Sequence, residues 1–129
     1  MRLASDIWVA ALIRAAEVAG AMAAVVHRGD PRAGAIFVVV DRLDGTLDLH
    51  VPAPQSEVDE TETATRRFET VLKRATGEAV RARIASERRF DPDLWVIEIE
   101  DRAGRAFIEP PPHDPDAPAP VRPVWPPRD

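Results

Sequence analysis

The chain contains no cysteine, and among its 17 basic residues sixteen are arginine and one is lysine. Without cysteine there is no disulfide framework, no thiolate nucleophile and no thiolate zinc site. The absence fits a reducing compartment, and we expect a cytoplasmic protein. The scarcity of lysine indicates a GC-rich genome more than a particular chemistry.

A long uninterrupted apolar segment is also missing. The N-terminal apolar stretch is broken by Asp6, Arg14 and Glu17, so we expect neither a signal peptide nor a membrane span. No glycine-rich loop fits a nucleotide, and no serine lies in a nucleophile-elbow context. We therefore predict no cofactor.

Candidate metal and catalytic groups are few. The three histidines, His27, His50 and His113, have no ligand spacing among them, and the acidic residues around the 41–48 turn lack the alternation of a calcium loop. Nothing in the chain assembles a nucleophile with a base, so we predict no metal site and no catalytic residue. An enzyme ranks last among the functional hypotheses.

The chain has 129 residues, of which 45% are hydrophobic and 30% charged, as in a soluble globular protein with one core. Nine of the last twenty residues are proline, which excludes helix and interior strand there. We predict a single domain over residues 1–109 and a proline-rich tail over residues 110–129. The tail is either an extended or disordered segment, or a strap lying on its own domain.

The run of six apolar residues from Ala35 to Val40 is the organising element of the fold. It is mostly β-branched or aromatic and apolar on both faces, which is typical of a central strand. Further strands are predicted over 21–28, 46–51, 94–100 and 105–109, and helices over about 6–19 and 78–89. Hairpin turns are predicted at 41–45 and 101–104.

Several local features refine these elements. Ser5 or Asp6 can cap the first helix, and Gly20 is a natural residue to end it. In the strand 46–51, Asp48 and His50 alternate with leucine and valine, which predicts one solvated face. Residues 55–65 are predicted as a loop. Residues 66–74 fit both strand and helix, and the break at Thr76 and Gly77 favours strand.

These elements predict an α+β fold. An N-terminal helix and a second helix pack on a mainly antiparallel sheet of five or six strands, followed by the proline-rich C-terminal tail.

Four segments in order resemble a known group of short alphaproteobacterial proteins, the domain of unknown function 1491. They are Ser5–Ala11 (SDIWVAA), 33–46 (AGAIFV running into DRLDGT), 52–56 (PAPQS) and 89–95 (RFDPDLW). The likeness covers roughly residues 1–109, and the proline tail extends beyond it. The resemblance implies a bacterial, cytoplasmic, single-domain protein. Because the family has no established activity, it implies no catalytic residue.

Two binding hypotheses remain open besides the enzyme. In the first, the chain is a non-catalytic interaction or scaffold module. The helix over 6–19 is apolar nearly all round, which favours a homodimer. The tail, with Arg122 and Trp125 among its prolines, would dock on a protein partner.

In the second hypothesis the protein binds nucleic acid or another anion. Residues 66–89 carry eight positive and three negative side chains, although the whole chain has a net charge of −5. Arg81, Arg88 and Arg89 are the candidate contacts. The alternative is a solvated helix whose arginines pair with the acidic residues of 57–62, and the negative net charge favours it.

Overall fold

The structure is a computed structural model that describes residues 3–54 and 65–117. It contains two helices and five strands. In chain order they are α1 (Ser5–Val18), β1 (Met22–His27), β2 (Ile36–Asp41), β3 (Leu47–Pro52), β4 (Phe68–Ala75), α2 (Gly77–Phe90) and β5 (Trp95–Glu100). The predicted α+β class is confirmed, and so is the choice of strand for residues 66–74.

The five strands form one sheet in the order β1-β5-β2-β3-β4. Three neighbouring pairs are antiparallel, and the central pair, β2 with β5, is parallel with Ile36 opposite Trp95. β2 is the central strand of the sheet, as predicted. Its residues from Ile36 to Val40 are all buried. β1 and β4 are the edge strands.

Each helix covers one face of the sheet. On one face, Val9, Leu12 and Ala16 of α1 pack on alternate residues of β2 and β5. On the other face, Val80 and Ile84 of α2 pack on Leu49 and Val51 of β3 and on the remaining residues of the central strands. The sheet therefore lies between two apolar cores.

The ends of α1 show one correct prediction and one wrong one. Gly20 has a φ of +88°, and the amides of Gly20 and Ala21 donate to the carbonyls of Glu17 and Ala16, which is a Schellman ending. The sequence predicts Ser5 or Asp6 as the cap of the helix, but the N-cap is Ala4 and no side chain caps it. Ser5 is buried instead and hydrogen-bonds to a distant part of the chain.

Residues 105–109 do not form the predicted strand. The turn at 101–104 is present, with the amide of Gly104 donating to the carbonyl of Asp101. After it the chain crosses the face of the sheet, where Ala106 and Ile108 are buried in the core shared with α1. The alternation of apolar residues therefore reflects burial on one side without strand pairing.

The first part of the proline-rich segment lies along the edge of β4. The amide of His113 donates to the carbonyl of Phe68 (2.9 Å), and the amide of Thr70 donates to the carbonyl of His113 (2.8 Å). Lys73 and Asp114 form an ion pair at 2.6 Å. We call residues 109–114 the strap, because they cover the backbone of β4 that faces away from β3.

The predicted loop over 55–65 lies almost wholly outside the described residues, and so does its acidic part, 57–62. Neither helix of the described chain has the length and apolar character needed to cross a bilayer.

Candidate functional site

Asp48 and His50 are buried, and the prediction that their side of β3 is solvated is wrong. Leu49 and Val51 point to the α2 side, so Asp48 and His50 point to the opposite face. Only 2% of Asp48 and 6% of His50 is exposed. The cover comes from the segment 104–112, which local alternation in β3 cannot reveal.

Asp48 is held by an arginine and by a backbone amide. The Nε and Nη2 atoms of Arg42 donate to its Oδ2 at 3.0 and 2.7 Å, and the amide of Arg74 donates to its Oδ1 at 2.8 Å. The hydrogen bond to Asp48 raises the pKa of Arg42 above its usual value. The guanidinium lies against the backbone of Gly104, where a side chain would clash with it.

His50 contacts the neighbouring strand through one ring nitrogen. Its Nδ1 lies 2.9 Å from the hydroxyl of Thr70 on β4, whereas its Nε2 is buried and has no hydrogen-bond partner in the described chain. Desolvation lowers the pKa of His50 below its usual value, although the carboxylate of Asp48 opposes the shift. The imidazole is therefore neutral at physiological pH, with one nitrogen unsatisfied.

The segment that covers these residues carries its own ion pair. The amide, Nε and Nη2 of Arg105 all donate to the carboxylate of Asp101, which holds the pKa of Asp101 below its usual range. The guanidinium of Arg105 lies 4.9 Å from the ring centre of Phe107. Phe107 itself has a φ of +60°, an unfavourable backbone conformation for a bulky residue.

A cavity of about 500 Å³ lies between the sheet and this segment. Its floor is formed by Asp48, His50 and Thr70. Its walls are formed by Arg42, Lys73, Gly104, Arg105, Ala106, Phe107, Ile108, Glu109, Pro111, Pro112 and Asp114. The volume is that of a small-molecule site. In the described residues no group of three or more histidine, aspartate or glutamate side chains is arranged to hold a metal ion.

A second feature lies at the opposite edge of the sheet. Four of the six residues of β1 are exposed, including Met22 (70% exposed) and Val26 (61%). From Ala21 to Val26 there is no charged residue and no proline. Ile7 and Val18 of the adjoining α1 are also exposed. In the described chain no segment pairs with the outer side of β1.

The basic segment 66–89 divides into exposed residues on α2 and a buried one before β4. Arg81, Arg88 and Arg89 are exposed on α2, on the other side of the sheet from the cavity. Arg66 belongs to the same charged segment but is buried, with its Nη2 donating to the hydroxyl of Ser5 and the carbonyl of Leu3. The binding roles of the three α2 arginines stay a prediction.

Arg122 and Trp125, the candidate docking residues of the tail, lie outside the described residues. Their role also stays a prediction.

Sequence patterns do not identify the residues that line the cavity, and for Asp48 and His50 they favour a hairpin turn and an ordinary strand histidine. Arg42, Thr70 and Arg105 come from three separate segments, and no motif links them. The only local signal is the pair of polar residues at alternate positions of β3, which equally fits a solvated strand.

Comparison with known proteins identifies relatives over most of the chain. A family model described as "Protein of unknown function (DUF1491)" matches residues 3–109. Protein Atu0922 from A. tumefaciens, solved in solution, is 47% identical, with a TM-score of 0.75, over 84% of this chain and 93% of its own. The crystal structure of a DUF1491 family protein from Caulobacter crescentus CB15 is 44% identical, with a TM-score of 0.72, over 88% of this chain and 99% of its own. No curated protein matches the chain.

Proposed function

The chain belongs to the DUF1491 family of proteins of unknown function, and we propose that it is a small non-catalytic interaction module whose first partner is a second copy of itself. The contact runs along β1, and two sheets join there into one.

The observation that carries this proposal is the difference between the two edges of the sheet. An exposed strand edge pairs readily with other strands, and proteins usually protect it with charge, proline or a covering segment. The β4 edge has all three kinds of protection, since the proline-rich strap covers it and Lys73 lies on it. β1 has a β-bulge near Val26 but neither charge nor proline.

A second copy suits this edge better than a charged partner does. In a twofold antiparallel contact each strand meets its own sequence, so a charge close to the twofold axis would face its own copy. β1 has none in Met22–Val26, and its apolar side chains are the ones that such a contact buries. A stable interface buries about 800 Å² per partner, which is more than one short strand offers. We therefore include Ile7 and Val18 of α1 in the contact.

The test is the mass of the protein in solution as a function of concentration. We expect the 14.2 kDa chain to form a dimer, and Met22→Lys and Val26→Lys to shift it to monomer with an unchanged circular dichroism spectrum. Phe90→Lys is the matched control, because Phe90 is the most exposed large apolar residue of the described chain (88%) and lies at the end of α2. We expect this control to remain dimeric.

Two outcomes contradict the proposal. The first is a wild-type chain that stays monomeric at all concentrations. The second is a dimer that neither β1 substitution weakens, since its interface would then lie elsewhere.

A further inference from the structure

We propose that the cavity beneath residues 104–112 binds a small monocarboxylate with an apolar body. This site is on the opposite edge of the sheet from β1, so the inference does not depend on the proposed dimer.

The cavity has one apolar side and one polar side, which fits an amphiphilic ligand. Ala106, Phe107, Ile108, Pro111 and Pro112 form an apolar side on the covering segment. The sheet side is polar, with Thr70 and His50 at the floor. A ligand that satisfies both sides has one polar end and one apolar end, and a cavity of about 500 Å³ admits a small molecule.

The charges of the wall restrict the polar end. Arg42, Lys73 and Arg105 are each already paired with a carboxylate, that of Asp48, Asp114 and Asp101, so the site has no excess of positive charge even before Glu109 is counted. A multiply charged anion such as a phosphate or a nucleotide would need an excess of positive charge. A single carboxylate does not.

The donors that remain suit a carboxylate. Arg42 and Arg105 each bind their aspartate through Nε and Nη2, which leaves the Nη1 hydrogens of both guanidinium groups for another acceptor. Lys73 uses one of its three hydrogens on Asp114. These groups are arranged around one cavity, and charge-assisted hydrogen bonds to a carboxylate are among the stronger polar contacts.

His50 supplies the most specific part of the argument. A buried polar nitrogen without a partner destabilises the fold, so its presence in a well-packed sheet calls for an explanation. When the Thr70 hydroxyl donates to Nδ1, the neutral ring carries its proton on Nε2 and can donate it to a ligand oxygen. The ligand would satisfy this nitrogen.

Access to Nε2 requires movement of the cover, because the nitrogen is sealed from solvent. The cover is suited to such movement. The strap is attached by the two backbone hydrogen bonds at His113 and by the exposed pair of Lys73 with Asp114. The φ of Phe107 is the kind of backbone strain that clusters at binding sites.

The experiment is an NMR titration of the whole ¹⁵N-labelled chain with four probes. Benzoate and hexanoate are apolar monocarboxylates, benzamide is the uncharged counterpart of benzoate, and inorganic phosphate is the anion without an apolar body. Long-range histidine spectra read the two ring nitrogens of His50 directly. Backbone amides of Thr70 and of residues 106–108 locate the site.

We expect saturable shifts of His50 Nε2 and of these amides with benzoate or hexanoate. Benzamide should bind at least about tenfold more weakly, because it lacks the charge that the guanidinium groups contact. Phosphate should give no saturable shift at His50. Arg105→Gln should weaken carboxylate binding about tenfold. The matched control Arg14→Gln, on the exposed side of α1, should leave it unchanged.

His50→Phe tests the floor separately. Phenylalanine keeps a ring at this position and removes the unsatisfied nitrogen, so the fold should persist while benzoate binding is lost. If this variant unfolds, Arg105→Gln still tests whether the cavity binds a carboxylate. Arg105 lies at the exposed rim, so its substitution should leave the fold intact.

The proposal is overturned if neither carboxylate gives saturable shifts at His50, or if benzamide binds as tightly as benzoate. It is also overturned if phosphate competes at the same atoms, which would make the site a general anion site. Unchanged affinity in Arg105→Gln contradicts the assigned role of the guanidinium groups.

Discussion

The hydroxyl of Ser5 donates a 2.7 Å hydrogen bond to the carbonyl of Gly34, 29 residues further along the chain. The same hydroxyl accepts a hydrogen bond from the guanidinium of Arg66 at 3.1 Å. One buried atom at the start of α1 thus joins the helix to the turn before β2 and to the residues that lead into β4.

We therefore expect Ser5→Ala to lower the free energy of unfolding by about 1–3 kcal/mol. The substitution leaves the buried carbonyl of Gly34 without its short hydrogen bond and removes an acceptor from Arg66. Urea denaturation measures the change, and Ser86→Ala, at a half-buried position of α2, is the matched control. Equal stability of the two variants would show that the network contributes nothing.

Gly34 itself lies too close to the backbone of Asp93 for any side chain. An added Cβ would be 2.5 Å from the carbonyl oxygen of Asp93, and backbone cannot move as a flexible side chain does. Gly34→Ala should destabilise the fold by about 1–3 kcal/mol or more. Gly77→Ala is the control, because the nearest atom there belongs to the flexible side chain of Arg81 and alanine favours helix. Thermal unfolding should give a lower Tm for the first variant only.

The pair of Arg42 and Asp48 is expected to be strongly coupled. Asp48→Asn removes the counter-charge of a guanidinium whose side chain is only 12% exposed, so we expect a loss of about 3 kcal/mol in unfolding free energy. Arg42→Met should lower the unfolding free energy by a similar amount, because it leaves the buried carboxylate of Asp48 without its counter-charge. The double variant should be more stable than the sum of the two losses predicts, which a double-mutant cycle measures. Strict additivity would mean that the two charges do not interact.

Glu98 gives a prediction about pH. Desolvation, together with the nearby carboxylates of Asp41 and Glu100, raises the pKa of Glu98 above its usual value. The folded protein therefore holds this proton more tightly than the unfolded chain, and the stabilisation is complete below the unfolded pKa and disappears as the pH rises through the folded pKa.

Glu98→Gln should consequently stabilise the protein at pH 7, by about 0.5 kcal/mol or less for a half-exposed position. Well below pH 4 the substitution should not change the free energy of unfolding, because the native side chain is already protonated there. Unfolding curves at the two pH values test this. A gain of equal size at both would show that the charge is not the cause.

The strap leads to a prediction about chains that are truncated at the C-terminus. A chain ending at Ala117 retains the pairing of His113 with β4, whereas a chain ending at Glu109 exposes the backbone of that edge. We expect the shorter chain to aggregate or form additional oligomers and the longer one to behave as the whole protein does. Light scattering distinguishes the two. Identical behaviour would mean that β4 does not need its cover. Tests of Arg122 and Trp125 in partner binding should therefore use the chain ending at Ala117 as the comparison.

Sequence patterns predicted those elements whose formation depends on local chemistry. The apolar run before Asp41 predicts a central strand because both faces are apolar, and Gly20 predicts the helix end because it allows a positive φ. The break at Thr76 favours a strand over 66–74, and the side chain of Thr76 does cap α2 by accepting from the amide of Ala79.

The features that sequence patterns missed all depend on contacts between distant segments. His50 has the pattern of a solvated strand residue, and only the path of residues 104–112 over the sheet buries it. Residues 105–109 alternate like a strand, yet Phe107 turns the chain with a positive φ. Ser5 has the identity of a helix cap, but Gly34 and Arg66 are better partners for a buried hydroxyl.

The parallel pairing of β2 with β5 has a consequence for the order of folding during synthesis. β5 is the sole partner of β1 in the described sheet, and it lies between β1 and β2. While the ribosome makes the chain as far as α2, β1 has no neighbour and the central strand has one side open. The core on the α1 face can close only when Trp95–Glu100 emerges and inserts between strands made much earlier. Such distant pairing is slow, so the nascent chain depends on β5 to become a folded protein.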